Sequence, residues 1–182
     1  MEDEQVDSNS IFKRLIKAPK VSEEKIETEY DFDKATGTIR KYRQPSDNVG
    51  DLVIPGEIGG VEVKRIGDEA FADCNGISSV QVPYSTTSIG NSAFARCSNL
   101  VTVIMPSCVT SIGDFAFIDC INLYSISIPL GVTSIGKATF ANCGGLTSMV
   151  IHEGVKSIGM NATLRCFSLT IYAVEGSFAH TY

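Results

Sequence analysis

The chain is predicted to fold as an α/β solenoid, and three observations predict it. The dipeptides Ile66-Gly67, Ile89-Gly90, Ile112-Gly113, Ile135-Gly136 and Ile158-Gly159 recur 23 residues apart. A fixed period of this length marks identical turns stacked along one axis. Within each unit a short segment alternates apolar and polar residues, as in Val80-Gln81-Val82 and Ile126-Ser127-Ile128, which is the mark of a strand with one buried face. After the Gly comes a helix N-cap type, Asp68, Asn91 or Asp114, followed by Ala and Phe, which predicts a short helical turn.

Taken in order, residues 1–28 are charged, mostly polar and free of the repeat, and they read as a flexible leader. Within it, Ile11-Phe12-Lys13-Arg14-Leu15-Ile16-Lys17 has the pattern of one or two turns of amphipathic helix. Such a helix would suit a membrane surface or a partner, but a stretch this short is marginal on its own. Residues 29–48 read as an N-terminal hairpin cap. Tyr30 and Phe32 alternate before Asp33-Lys34-Ala35-Thr36-Gly37, and Ile39 and Tyr42 follow. Its task is to cover the core exposed at the first turn, as terminal caps do in solenoids.

Residues 49–175 read as the solenoid. A partial first turn runs Val49, Leu52, Ile54, Pro55, Val63, Ile66, with a loop at Gly56 to Glu62 five residues longer than elsewhere. A full unit runs Leu100, Val103, Met105, Pro106, Val109, Ile112, Gly113, Ala116, Phe117, Cys120. Proline lacks an N–H, so each strand stops there. Ser-Ile-Gly is a second short extended piece, ended by a residue free to take positive φ. Ala, Phe and the Cys three residues later point inward from the helical turn. The unit after Cys143 replaces Pro with His152 and Phe with Thr163. A last partial turn starts at Leu169 and continues through Tyr172 and Val174, and residues 176–182 form an exit segment.

The pattern Leu-x-x-Ile-x-Ile-Pro-x-x-Val-x-x-Ile-Gly-x-x-Ala-Phe-x-x-Cys, read from Leu123 to Cys143 with Thr139 in place of Ala, resembles the BspA-type leucine-rich repeat family. Asp51 to Pro55 with Ile58-Gly59-Gly60-Val61 resembles the family's entry turn, and Ile171-Tyr172 with Gly176 to Ala179 resembles its exit. The resemblance implies a right-handed superhelix or horseshoe, with a parallel sheet on the concave face and short helical turns on the convex one. It also implies a non-enzymatic interaction module of the cell surface or secreted space, linked to adhesion and host binding. A structural spacer within a larger assembly is the other reading.

Composition narrows the chemistry. The net charge of −6 argues against nucleic-acid binding, which needs Lys and Arg to neutralise phosphates. No apolar run approaches the ~20 residues that span a bilayer. Met1-Glu2-Asp3-Glu4 is not a secretory signal. The location is therefore extracellular if a signal has been removed, and otherwise cytoplasmic. Cys74, Cys97, Cys120, Cys143 and Cys166 share one repeat position. Without Cys-x-x-Cys spacing and with two His in all, they read as a column of buried thiols and not as metal ligands. Cys108 lies in the loop before Val109 and is expected to be the most exposed thiol. The chain is expected to be a monomer, or a weak end-to-end or disulfide-linked dimer.

Catalytic constellations are poor. A Cys143–His152 dyad would need a core thiol to meet a rim imidazole, and His180 lies in the tail. Ser78-Ser79 and Ser125/Ser127 lack a base and an acid, and neither a phosphate loop nor another cofactor motif is present. Asp68, Glu69 and Asp73 read as solvated surface. Asn161-Ala162-Thr163 fits a glycosylation acceptor but falls on core positions. What remains is the outward face of the first strand of each unit: Ser79 and Gln81, Thr102 and Ile104, Ser125 and Ser127, Ser148 and Val150, then Ile171 and Ala173, flanked by Tyr84, Ser107, Leu130 and Glu153. This uncharged ladder is the candidate surface for a protein or glycan ligand.

Overall fold

A computed structural model describes residues 23–44 and 50–181. Most of the expected leader, including the pattern at Ile11 to Lys17, lies outside the described residues, as does Val49. The chain opens with helix α1 (Glu23–Glu29) and the hairpin β1 (Tyr30–Asp33) and β2 (Thr38–Tyr42). The windings then alternate between two sheets. One set of strands is β3 (Gly50–Val53), β7 (Ile77–Gln81), β9 (Thr102–Ile104), β11 (Ser125–Ser127), β13 (Ser148–Ile151) and β15 (Thr170–Ala173). The other is β6 (Arg65–Ile66), β8 (Ser88–Ile89), β10 (Ser111–Ile112), β12 (Ser134–Ile135) and β14 (Ser157–Ile158). Each set forms a parallel sheet, with equivalent residues in register in every winding before β15, and β1–β2 extends the second to seven strands. The extra residues of the first winding form their own hairpin, β4 (Glu57–Ile58) with β5 (Val61–Glu62). Gly59 and Gly60 turn it at φ of 55° and 79°, the left-handed conformation that a two-residue hairpin turn demands.

The core is a set of columns. Phe71, Phe94, Phe117 and Phe140 are all buried and stacked, with centroids 5.0, 5.3 and 5.6 Å apart. Tyr42 continues the column at 5.2 Å from Phe71, and Tyr30 lies 5.0 Å from Tyr42. The hairpin thus completes the first winding's core with rings of its own. Thr86, which takes a valine's place, is fully buried, and its hydroxyl donates to the Val63 carbonyl at 3.0 Å.

Three expectations need correction. The first concerns the helical turns. Among the described residues, helix is confined to α1 and the 3-10 turn Phe178–Thr181. The residue after each presumed N-cap is left-handed, as is the residue four further on. Glu69 and Asp73 have φ of 54° and 64°, and Phe115 and Asp119 have φ of 59° and 60°. These reversals break the helical path, and every second N–H then reaches the next winding. Glu69, Phe71 and Asp73 donate to the carbonyls of Asn91, Ala93 and Ala95 at 2.8–2.9 Å. The presumed caps serve that winding too: Asp68 Oδ1 accepts from Asn91 N at 2.7 Å, and Asn91 Oδ1 accepts from Asp114 N at 2.9 Å. A third hydrogen-bonded wall replaces the helices.

The second correction concerns the glycine of Ser-Ile-Gly, which is not held at positive φ. It is required by proximity. A Cβ on Gly113 would lie 2.7 Å from the Asn91 backbone nitrogen and 2.7 Å from the Gly90 carbonyl carbon.

The third is the register of β15. Met149 pairs with Ile171 and Ile151 with Ala173, a spacing of 22 and not 23. Ile171 and Ala173 therefore join the inward column and are half-buried, while Tyr172 and Val174 are exposed. A one-residue slip moves every side chain of a strand to the other face.

Candidate functional site

The outer face of the six-stranded sheet is assembled residue by residue from strand alternation. Ser79, Thr102, Ser125 and Ser148 form one column across β7, β9, β11 and β13. Gln81, Ile104, Ser127 and Val150 form the next. All eight predicted residues thus fall on one face, with Gln81, Thr102, Ile104, Ser127 and Val150 exposed and Ser79, Ser125 and Ser148 half-buried. The register also adds residues that the sequence reading missed. Asp51 and Val53 of β3 head the two columns, and Thr170 and Tyr172 of β15 close them. The alternation in Asp51-Leu52-Val53 already carried the first signal. The aliphatic Ile171, of the kind that fills Ile126 and Met149, carried the second.

The face is rich in apolar groups yet almost without charge. Asp51 is its one ionisable carboxylate, and it accepts hydrogen bonds from Ser79 Oγ at 2.6 Å and Ser78 Oγ at 3.4 Å. Val53, Ile104, Val150 and Tyr172 are exposed on it, and Val101 and Tyr124 are exposed just ahead of their strands. Tyr84 and Leu130 stand past the strand ends at 81% and 74% exposure. Such a surface offers shape and apolar area around a centre of hydroxyls.

The thiols are spoken for. Cys97, Cys120, Cys143 and Cys166 each donate from Sγ at 3.1 Å to the carbonyl of the Phe in the preceding winding. Burial pushes Cys74 up to about 11 and Cys97 up to about 12, and raises Cys120, Cys143 and Cys166 as well. The column therefore stays as neutral thiols, and its four buried members, Cys74, Cys97, Cys120 and Cys143, are shielded from reagents in the folded chain. Cys108 is half-buried, as is Cys166, and its thiol points to the Tyr84 carbonyl. Native protein treated with a maleimide is expected to label Cys108 first and Cys166 slowly. The other four should react only on unfolding, which intact mass spectrometry would read. Early labelling of Cys97 or Cys120 would contradict the column.

The Cys143–His152 dyad does not form. Cys143 bonds to Phe117 O, while His152 donates from Nε2 to Pro129 O at 2.9 Å and accepts the Gly154 N–H at Nδ1 at 3.0 Å. Asp73 is taken by Arg96 in a two-point ion pair at 2.7 and 2.8 Å, which holds its carboxyl below the usual range. Together with the ladder role of Asp68, this divides the acidic cluster among different partners. Among the described residues no group of three or more His, Cys, Asp or Glu is placed to hold a metal ion, and no helix is long and apolar enough to cross a membrane.

Comparison with known proteins places this geometry. No curated protein sequence matches the chain. A leucine-rich repeat protein from T. pallidum has a similar structure, with a TM-score of 0.71 at 29% identity over 78% of this chain and 66% of that one. A leucine-rich cell surface protein from Faecalibacterium prausnitzii A2-165 gives 0.69 at 33% identity, over 79% of this chain and 36% of that one. A leucine-rich repeat protein from Eubacterium ventriosum shares the fold, with a TM-score of 0.62 at 24% identity, over 76% of this chain and 37% of that one. The chain thus spans less than two thirds of the length of each. The family model described as "BspA type Leucine rich repeat region" matches in six copies over residues 46–178. With its columns, its phase and its neighbours all in agreement, the chain belongs to the BspA-type leucine-rich repeat family.

Proposed function

We propose that the chain is a non-enzymatic interaction module of the cell surface or secreted space, and that the outer face of its six-stranded sheet docks a protein partner. One observation carries this reading. The face is an in-register surface on which aliphatic and aromatic side chains stand exposed around hydroxyls, with one carboxylate already engaged. Monomeric proteins seldom leave apolar groups gathered this way unless something covers them. The likeness to a cell surface protein supports the location. Adhesion to host or matrix proteins is the activity that fits such a module.

The test is a variant carrying Gln81→Lys, Thr102→Lys, Ser125→Lys and Ser127→Lys, screened beside the wild type against immobilised matrix proteins and glycans. Loss of a wild-type partner by more than tenfold, with an unchanged melting temperature, supports the sheet as the site. Binding that survives all four charges rejects the sheet face and favours a scaffold with no ligand there. A glycan as the sole partner would reject the protein reading. Because the face is nearly uncharged, affinity should change little between low and high salt.

A further inference from the structure

The third wall carries a relief that the repeat pattern alone does not produce. Its windings are in register there: Phe115, Phe117 and Asp119 donate to the carbonyls of Lys137, Thr139 and Ala141, each at 2.9 Å. Residues 23 apart therefore lie side by side. Phe115, Ile118 and Ile121 make one row along their winding, and none of the three joins the interior cluster. Phe115 and Ile118 are half-buried, with Lys137 Nζ 5.6 Å from the Phe115 ring centroid, and Ile121 is 51% exposed. The same positions hold Ser92, Ala95 and Ser98 in the winding before, and Ala138, Ala141 and Gly144 in the winding after. Ala138 and Ala141 are buried and yet also stand outside the interior cluster. They are the floor of a trough beside the taller side chains. An apolar ridge thus runs next to a trough, one winding or about 4.8 Å away. Both lie in inner windings, with a further winding on each side.

We propose that two copies of this chain pair back to back through this wall, each ridge seated in the other's trough. The wall is self-complementary about a two-fold axis that runs along the chain direction, midway between the two windings. That operation opposes the solenoid axes and exchanges ridge with trough. It sets Phe115 over Ala138 of the second copy, Ile118 over Ala141 and Ile121 over Gly144, each pair occurring twice, as a two-fold contact requires. Charge agrees with shape, because Asp114 of each copy comes opposite Lys137 of the other. One winding further out, Ala95 and Ser98 come opposite Leu164 and Phe167, small against large again. Arg96 opposite Arg165 is the one meeting of like charges, and Arg96 is already paired with Asp73. A lone ridge would suit many partners, whereas a ridge and trough of equal pitch that exchange about a two-fold specify a second copy. The contact spans a single wall, so the dimer is weak and reversible. It leaves the sheet face of each copy uncovered, so the pairing does not depend on what that face binds. Two such faces on one particle would add avidity to whatever each of them holds.

The experiment is sedimentation velocity over a concentration series in reductant, which removes any dimer linked through Cys108. The wild type is expected to form a reversible dimer. Ile121→Glu places a charge on the ridge and should weaken the dimer tenfold or more. Gly144→Phe fills the trough, at a residue that is not at positive φ and whose added Cβ meets nothing within 4 Å. It should weaken the dimer as much, although it adds apolar surface. An unspecific sticky patch would respond in the opposite way and associate more tightly. Tyr84→Glu, away from this wall, should dimerise as the wild type does. Melting temperatures of the dilute variants check that each has folded. The proposal is overturned if the wild type stays monomeric at millimolar concentration. It is also overturned if folded Ile121→Glu or folded Gly144→Phe dimerises as well as the wild type, or if Tyr84→Glu is as damaging as they are.

Discussion

Phe117→Ala is expected to cost about 3–5 kcal/mol of folding stability, read as a lowered denaturant midpoint. The ring is fully buried and lies between two others at 5.3 and 5.6 Å, tilted by 1° and 5°. Its removal therefore opens a cavity bounded by Phe94 and Phe140. Those rings are held by their own windings, whose walls are tied by backbone hydrogen bonds on both sides, so collapse into the gap is restricted. Stability in a solenoid is close to a sum of units and neighbour interfaces, and one lesion here weakens two interfaces at once. Ser127→Ala, on the exposed face, should shift stability by no more than about 0.5 kcal/mol. Equal effects from the two changes would refute the assignment of inside and outside.

Gly113→Ala is expected to destabilise by about 3 kcal/mol or more, from the addition of a single methyl group. The new Cβ would sit 2.7 Å from the Asn91 backbone nitrogen, from Asn91 Oδ1 and from the Gly90 carbonyl carbon. Two of these atoms are backbone and cannot swing aside. The third, Asn91 Oδ1, accepts the Asp114 N–H, so moving it breaks a bond between windings. Gly144→Ala is the control. A Cβ there meets nothing within 4 Å, and the residue is not at positive φ. That substitution should be neutral, or stabilising by about 0.4–1 kcal/mol through the unfolded chain. If the two alanines behave alike in a thermal melt, close contact between windings is not what selects glycine at this position.

Much of this was legible in the sequence, for identifiable reasons. Columns of Phe, Ile and Cys follow from period alone, because like residues in stacked turns must superpose. The eight face residues from Ser79 to Val150 follow from period plus alternation. The helical turn was misread because Asp68, Asn91 and Asp114 suit two tasks equally well, capping a helix or accepting from the next winding. What decides between them is the left-handed backbone at Glu69, Ser92 and Phe115, and nothing in those residue types announces it. Glycine at the end of Ser-Ile-Gly was read as conformational freedom, whereas the cause is a neighbour 23 residues away. Tyr172 was missed because counting by 23 from Met149 lands on it, while the pairing takes Ile171.

That displaced final strand shows how such a protein can vary what it presents without a single substitution. With one residue fewer between Leu169 and its strand than between Leu146 and β13, a tyrosine faces solvent and an isoleucine faces in. Insertions and deletions between windings are therefore a means of repainting the terminal rim, one that leaves the interior recipe untouched.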